Sequence, residues 1–178
     1  MIFTLVLATV FMSGAHAATR PEQIVRRFCK RYVTNPPAPL LEGKSDAGLE
    51  SLLSPRLRRK IAGLRACQRD FLSRVPKGAI MKPPYVDCCL FSGTAEGGPN
   101  HFAVGNTKNL PDGRVEVLVN LTLQRPGEVY RWQDAYIVAR LGNQWLIDDF
   151  VAFTDSAGHH VSLIDNFSEC RSGKLTGW

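Results

Sequence analysis

Nowhere in its 178 residues does the chain carry the ~20 consecutive apolar residues that a membrane-crossing helix needs. Its longest apolar run, Ile2 to Met12, is about half that length and is broken by Thr4 and Thr9. Chemistry-bearing motifs are missing too. There is no C-x-x-C, H-x-x-x-H, G-x-S-x-G, P-loop or dinucleotide-binding fingerprint, and Gly97-Gly98 reads as a turn. Histidine is scarce. A metal site needs three or four converging ligands, whereas His101 stands alone and His159-His160 are adjacent near Asp155 and Asp165, so no metal and no cofactor is expected. Acidic residues are nearly absent from one stretch: between Arg56 and Lys77 the only one is Asp70.

What is there begins with a leader pattern. Met1 to Ala17 has no charged side chain, and its apolar run leads into Ser13-Gly14-Ala15-His16-Ala17. Small residues at Ala15 and Ala17 fit signal-peptide cleavage before Ala18, although no Lys or Arg precedes the apolar run. The expected product is a soluble periplasmic or secreted protein, not an integral membrane protein. All five cysteines (Cys29, Cys67, Cys88, Cys89, Cys170) follow the cleavage point, which in an exported chain reads as a disulfide framework with one thiol left over. The domain plan is a leader at 1–17, a single domain at 18–153, and a C-terminal extension at 154–178.

Thr19-Arg20-Pro21-Glu22 reads as a helix start with a capping box, after which Ile24, Val25, Phe28 and Tyr32 share one helical face. Asn35-Pro36-Pro37 ends that helix. A short helix is expected around Asp46 to Leu53. Ser54-Pro55 then starts a longer one, with Leu57, Ile61, Leu64, Phe71 and Val75 as its apolar stripe, ending at Pro76 and Gly78. After Pro83-Pro84 the period changes to alternation. Strands are expected at Tyr85 to Phe91, His101 to Gly105, Arg114 to Leu123, Val129 to Arg140 and Gln144 to Ala152, with turns at Pro111-Asp112-Gly113, Arg125-Pro126-Gly127 and Leu141-Gly142-Asn143. Ser162 to Cys170 is expected to form one or two helical turns, and Gly173 onward a tail. The fold class is α+β: two or three N-terminal helices packed on an antiparallel sheet of four to five strands, with disulfides.

Helices before a meander, together with the final-strand motif G-x-x-W-x-I-D-D in Gly142-Asn143-Gln144-Trp145-Leu146-Ile147-Asp148-Asp149, resemble the nuclear-transport-factor-2-like (cone-shaped α+β) superfamily. Within it the chain looks like an exported bacterial family described as a domain of unknown function. The resemblance covers about Pro21 to Phe153. It implies a curved, cone-like sheet, and it spans enzymes with a pocket inside the cone as well as members with no chemistry.

Candidate residues follow. Asp148 and Asp149 are weak catalytic candidates, since neighbours on a strand point to opposite faces and a carboxylate in an apolar pocket can serve as a general base. Alternation places Trp145, Ile147, Asp149 and Val151 on one face and Leu146, Asp148 and Phe150 on the other. Tyr130 and Tyr136 are weak partners for them, on a strand face shared with Trp132 and Asp134. For the cysteines the expected pairs are Cys67 with Cys88 or Cys89, and Cys29 with Cys170. Charge is segregated. Arg20 to Arg31 holds five basic residues and one acidic, Arg56 to Lys77 eight and one, whereas 78–178 holds eight basic and eleven acidic. Arg56, Arg59, Lys60, Arg69 and Arg74 are therefore anion-binding candidates. The expected function is non-enzymatic binding of an unknown protein or an anionic envelope component. An immunity-type inhibitor of a secreted toxin is one role of this form; a small-molecule carrier or acid-base enzyme using the cone is the alternative. Nucleic acid is not an expected partner, because the sheet lacks interleaved basic and aromatic residues.

Overall fold

The computed structural model describes residues 20–34, 47–76, 98–153, 160–162, 170–171 and 174–175. The leader, the strand expected at 85–91, and Cys88 and Cys89 lie outside the described residues. Among the described residues three helices precede the sheet: α1 (Pro21–Thr34), α2 (Ala47–Glu50) and α3 (Pro55–Arg74). Helix α1 starts with proline in its first turn, where the missing amide hydrogen costs nothing. Its capping box is closed by Gln23, whose Oε1 accepts the Arg20 N–H at 3.2 Å. The helix begins one residue later than the Thr19–Glu22 spacing implies, so the third helical position is Gln23 and not Glu22.

Ser54 caps α3, its Oγ accepting the Leu57 N–H at 3.1 Å. Just before it, Leu53 forms a parallel bridge with Ile147: Ser54 N–H donates to the Ile147 carbonyl at 2.7 Å, and Ile147 N–H to the Leu52 carbonyl at 2.9 Å. The cap of α3 is thus sewn to the sheet by backbone before any side chain contributes.

Strands β1 (His101–Asn109), β2 (Val115–Arg125), β3 (Glu128–Leu141), β4 (Gln144–Phe153) and β5 (His160–Ser162) lie in sequence order as an antiparallel sheet. Two of its hairpins turn on glycines in the left-handed region, Gly127 at φ 80° and Gly142 at φ 59°. One sheet face supplies Val115, Val117, Val119, Leu121, Tyr136, Val138, Ile147 and Phe150 to a core shared with Val25, Phe28, Leu53, Leu57, Ile61 and Leu64 of the helical segment. The architecture is α+β, with the helices packed on an antiparallel sheet.

Two bulges break the alternation. In β1 the register shifts between Val104 and Thr107. Between β3 and β4, Ile137 pairs with Asp149 and Val138 with Ile147, which leaves Asp148 as the extra residue. The bulge corrects the expected faces: Ile147 and Phe150 both join the helix-facing core, while Asp149 lies beside Ile137 on the opposite face.

Toward the C-terminus, β6 (Cys170–Arg171) and β7 (Lys174–Leu175) form a two-stranded hairpin packed on α3. Of the span 162–170 expected as helical turns only the ends are described, Ser162 closing β5 and Cys170 opening β6, while 163–169 lie outside the described residues; the expected tail contributes a strand at Lys174–Leu175. Cys29 is a buried free thiol, so the expected Cys29–Cys170 bridge is not made. The reason is placement: Cys29 turns toward Tyr136 in the sheet core, whereas Cys170 opens β6 against α3. Among the described residues no helix is long and apolar enough to cross a membrane.

Candidate functional site

The two candidate carboxylates are separated by the bulge and engaged in different ways. Asp148, 7 % exposed, accepts the Ser54 hydroxyl at 2.6 Å. It also meets the Arg56 guanidinium at 2.8 Å and that of Arg114 at 3.3 Å. Arg114 is itself held by Asp112 at 2.7 Å, and its hydrogen bonds keep the Asp112 carboxyl below the usual carboxylate range. The Ser54 oxygen accepts from Leu57 while its proton goes to Asp148, so one hydroxyl caps α3 and ties it to β4. Asp149 accepts its neighbour Phe150's N–H at 2.8 Å through Oδ1 and the Ser162 hydroxyl through Oδ2. Both carboxylates therefore already have donors supplied by the fold.

The candidate tyrosines do not converge on them. Tyr136 lies on the helix-facing side, edge-on to Phe150 at 4.9 Å and to Phe28 at 5.8 Å between ring centroids. Asp149 is on the other face. Tyr130 sits six residues away along β3, roughly 20 Å, and donates to Glu128 at 3.1 Å.

A second polar group is built into the core. The Cys29 thiol is hydrogen-bonded with the Tyr136 hydroxyl, and Asp134 lies close to both. Asp134, 3 % exposed, accepts the Trp132 indole N–H at 3.2 Å. Burial, the largest influence, pushes the Cys29 thiol up to about 12, with Tyr136 opposing it. Burial also raises Tyr136 well above its ordinary value. At neutral pH both groups are protonated. Cys29 is then no thiolate nucleophile, and the cluster is a polar knot buried among aromatic rings.

The basic candidates divide into two sets. Arg56 is bound to Asp148 and Arg74 to Asp70, Arg65 reaches Glu50 at 3.0 Å, and Lys60 is half-buried. Arg59 and Arg69 are exposed and make no ion pair among the described residues, and the same holds for Arg58. At about 100° per residue, Arg58 and Arg69 lie within about 20° of each other and Arg59 about 100° round the helix. The arc between them carries the small exposed side chains of Ala62 and Ser73. Three exposed guanidiniums thus lie outside the Leu57, Ile61 and Leu64 stripe of α3, Arg59 on the side opposite it and Arg58 and Arg69 flanking it.

Sequence reasoning selected Asp148 but missed its partners Ser54 and Arg114, because alternation carries no sign of a bulge that swings Asp148 toward α3. It also passed over Arg58, which is separable from Arg56 only once Asp148 is known to take the latter. No family model, curated protein or solved structure matches the chain.

Proposed function

We propose that the chain is an exported, non-enzymatic binding domain that docks an acidic protein surface through Arg58, Arg59 and Arg69 on α3. The observation that carries this reading is that these three guanidiniums are exposed and free of ion pairs among the described residues, while neighbouring Arg56, Arg65 and Arg74 are neutralised by carboxylates of the fold. Arg58 and Arg69 stand eleven residues apart, about 17 Å at 1.5 Å rise per residue, a span suited to reading several carboxylates on one face. Arginine also forms bidentate bonds to carboxylates, which adds geometry to charge.

Three further parts of the reading are the cone-shaped, nuclear-transport-factor-2-like class, export and a disulfide. Helices before a meander sheet support the first. The leader pattern supports the second. The bonded state of the Cys67 sulfur supports the third. An immunity-type inhibitor of a secreted toxin is one role of this form.

The test is crosslinking of the full chain in envelope extract, alongside Arg58→Glu/Arg59→Glu/Arg69→Glu. Crosslinks from residues 58–69 to an acidic protein, lost in the triple variant while helix content is kept, are the expected result. Binding that survives charge reversal and high salt overturns the reading. Retention only on an anionic envelope polymer such as peptidoglycan overturns the choice of partner.

A further inference from the structure

We propose that Cys67 is bonded to Cys170, a disulfide that clasps the β6–β7 hairpin onto the C-terminal half of α3. This pairing is independent of the binding reading above. Cys67 is fully buried, and its sulfur is in the bonded, non-titrating form. Cys29 is a free thiol, which leaves Cys88, Cys89 and Cys170 as partners.

Placement decides among them. Strand β6 consists of Cys170 and Arg171 alone, and its backbone lies against α3. A disulfide needs Cα atoms about 4.4–6.8 Å apart, and α3 and β6 bring Cα atoms within 8 Å of each other. Burial along α3 agrees. Leu57, Ile61 and Leu64 belong to the core shared with the sheet, whereas Cys67 and Phe71 are buried outside it. Apart from β4, the described elements that pack most on α3 are β6 and β7. The second half of the helix therefore has its own cover, and a cysteine lies on each side of that contact.

Formation of the bond is a two-electron oxidation. The Cys67 and Cys170 thiols lose two protons and two electrons as the S–S bond forms. A disulfide-bearing thiol oxidoreductase accepts both, its own S–S bond breaking to give two thiols. An oxidising compartment supplies such a co-reactant. The clasp turns the β6–β7 hairpin into a covalently held part of the domain, and reduction frees the hairpin from α3.

Tryptic digestion of the full chain, alkylated but not reduced, gives a direct reading. Residues 66–69 carry Cys67, 141–171 carry Cys170, and 78–108 carry both Cys88 and Cys89, since the Lys82-Pro83 bond resists trypsin. Peptide 66–69 joined to 141–171 is the expected result. Peptide 66–69 joined to 78–108, or recovered alkylated and unlinked, overturns the proposal. The variant Cys170→Ser adds a second measurement. Wild type shifts its urea midpoint downward on reduction, and Cys170→Ser starts at the lowered midpoint and does not respond to reductant. Cys88→Ser/Cys89→Ser keeps the wild-type response, and loss of the response there instead overturns the pairing.

Discussion

Asp148 is held by a hydroxyl and two guanidiniums at once, and each partner tolerates its loss differently. Arg56 is 47 % exposed and Arg114 30 %, so water can replace the carboxylate for both. The buried Ser54 hydroxyl has no such substitute. Asp148→Ala is expected to lower unfolding free energy by about 1–3 kcal/mol, the range for leaving a buried partner unsatisfied. Asp148→Asn, which still offers an acceptor to Ser54, should cost less; urea titration of both variants checks the order. Cys29 makes a prediction about pH. Its pKa in the folded chain is about 12 against an ordinary 9.0, so the folded state holds the proton more tightly than the unfolded state. The stabilisation is fully present below pH 9 and is lost as pH rises toward 12, with a slope approaching 1.4 kcal/mol per pH unit at about mid-range. Tyr136 is shifted in the same direction, so Cys29→Ala should flatten the decline without abolishing it. Urea midpoints independent of pH between 8 and 11 would contradict this. Neither environment was legible beforehand: Cys29 flanks its helix stripe in the sequence as a disulfide partner would, and only the position of Tyr136 shows it to be a core thiol.

At the scale of elements, α3 and β2 were the most legible, because each has one wet and one dry face. Periodicity of 3.6 marks Leu57, Ile61 and Leu64, and strict alternation marks Val115 through Leu123. Strand β1 runs four residues past its expected end because Asn106 to Asn109 are exposed and polar, with no alternation to follow. The pairing at β5, β6 and β7 is only two or three residues long, too short to write a period into sequence. The bulge at Asp148 was hidden for another reason: one inserted residue swaps every later side chain to the other face while leaving composition unchanged. Two glycines allow element-level control. Gly63 lies within α3, and a Cβ there meets nothing within 4 Å, so Gly63→Ala should raise stability by ~0.5–1 kcal/mol. Gly142 has equally open surroundings but a φ of 59°. Gly142→Ala should therefore cost about 1–2 kcal/mol through backbone strain alone. Thermal denaturation of the pair tests both signs in one experiment.

Over the whole molecule, the net charge of +6 arises from the helices, since residues 78–178 carry more acid than base. For the acidic partner proposed above, a long-range field of this shape would act on the association rate more than on final affinity. The helical segment and the sheet are also bound together at a point far apart in sequence. Ser54 and Asp148 are 94 residues apart, and the backbone bridge from Leu53 to Ile147 spans a similar distance. During synthesis at about 5–20 residues per second, the cap of α3 waits on the order of 5–20 s for its acceptor. Through that interval the amphipathic faces of α1 and α3 have no sheet to cover, and helices of 14 and 20 residues are marginal alone in water. A nascent chain whose closing contacts are made last stays threadable until translation is nearly complete, which is the state a narrow membrane translocation pore accepts.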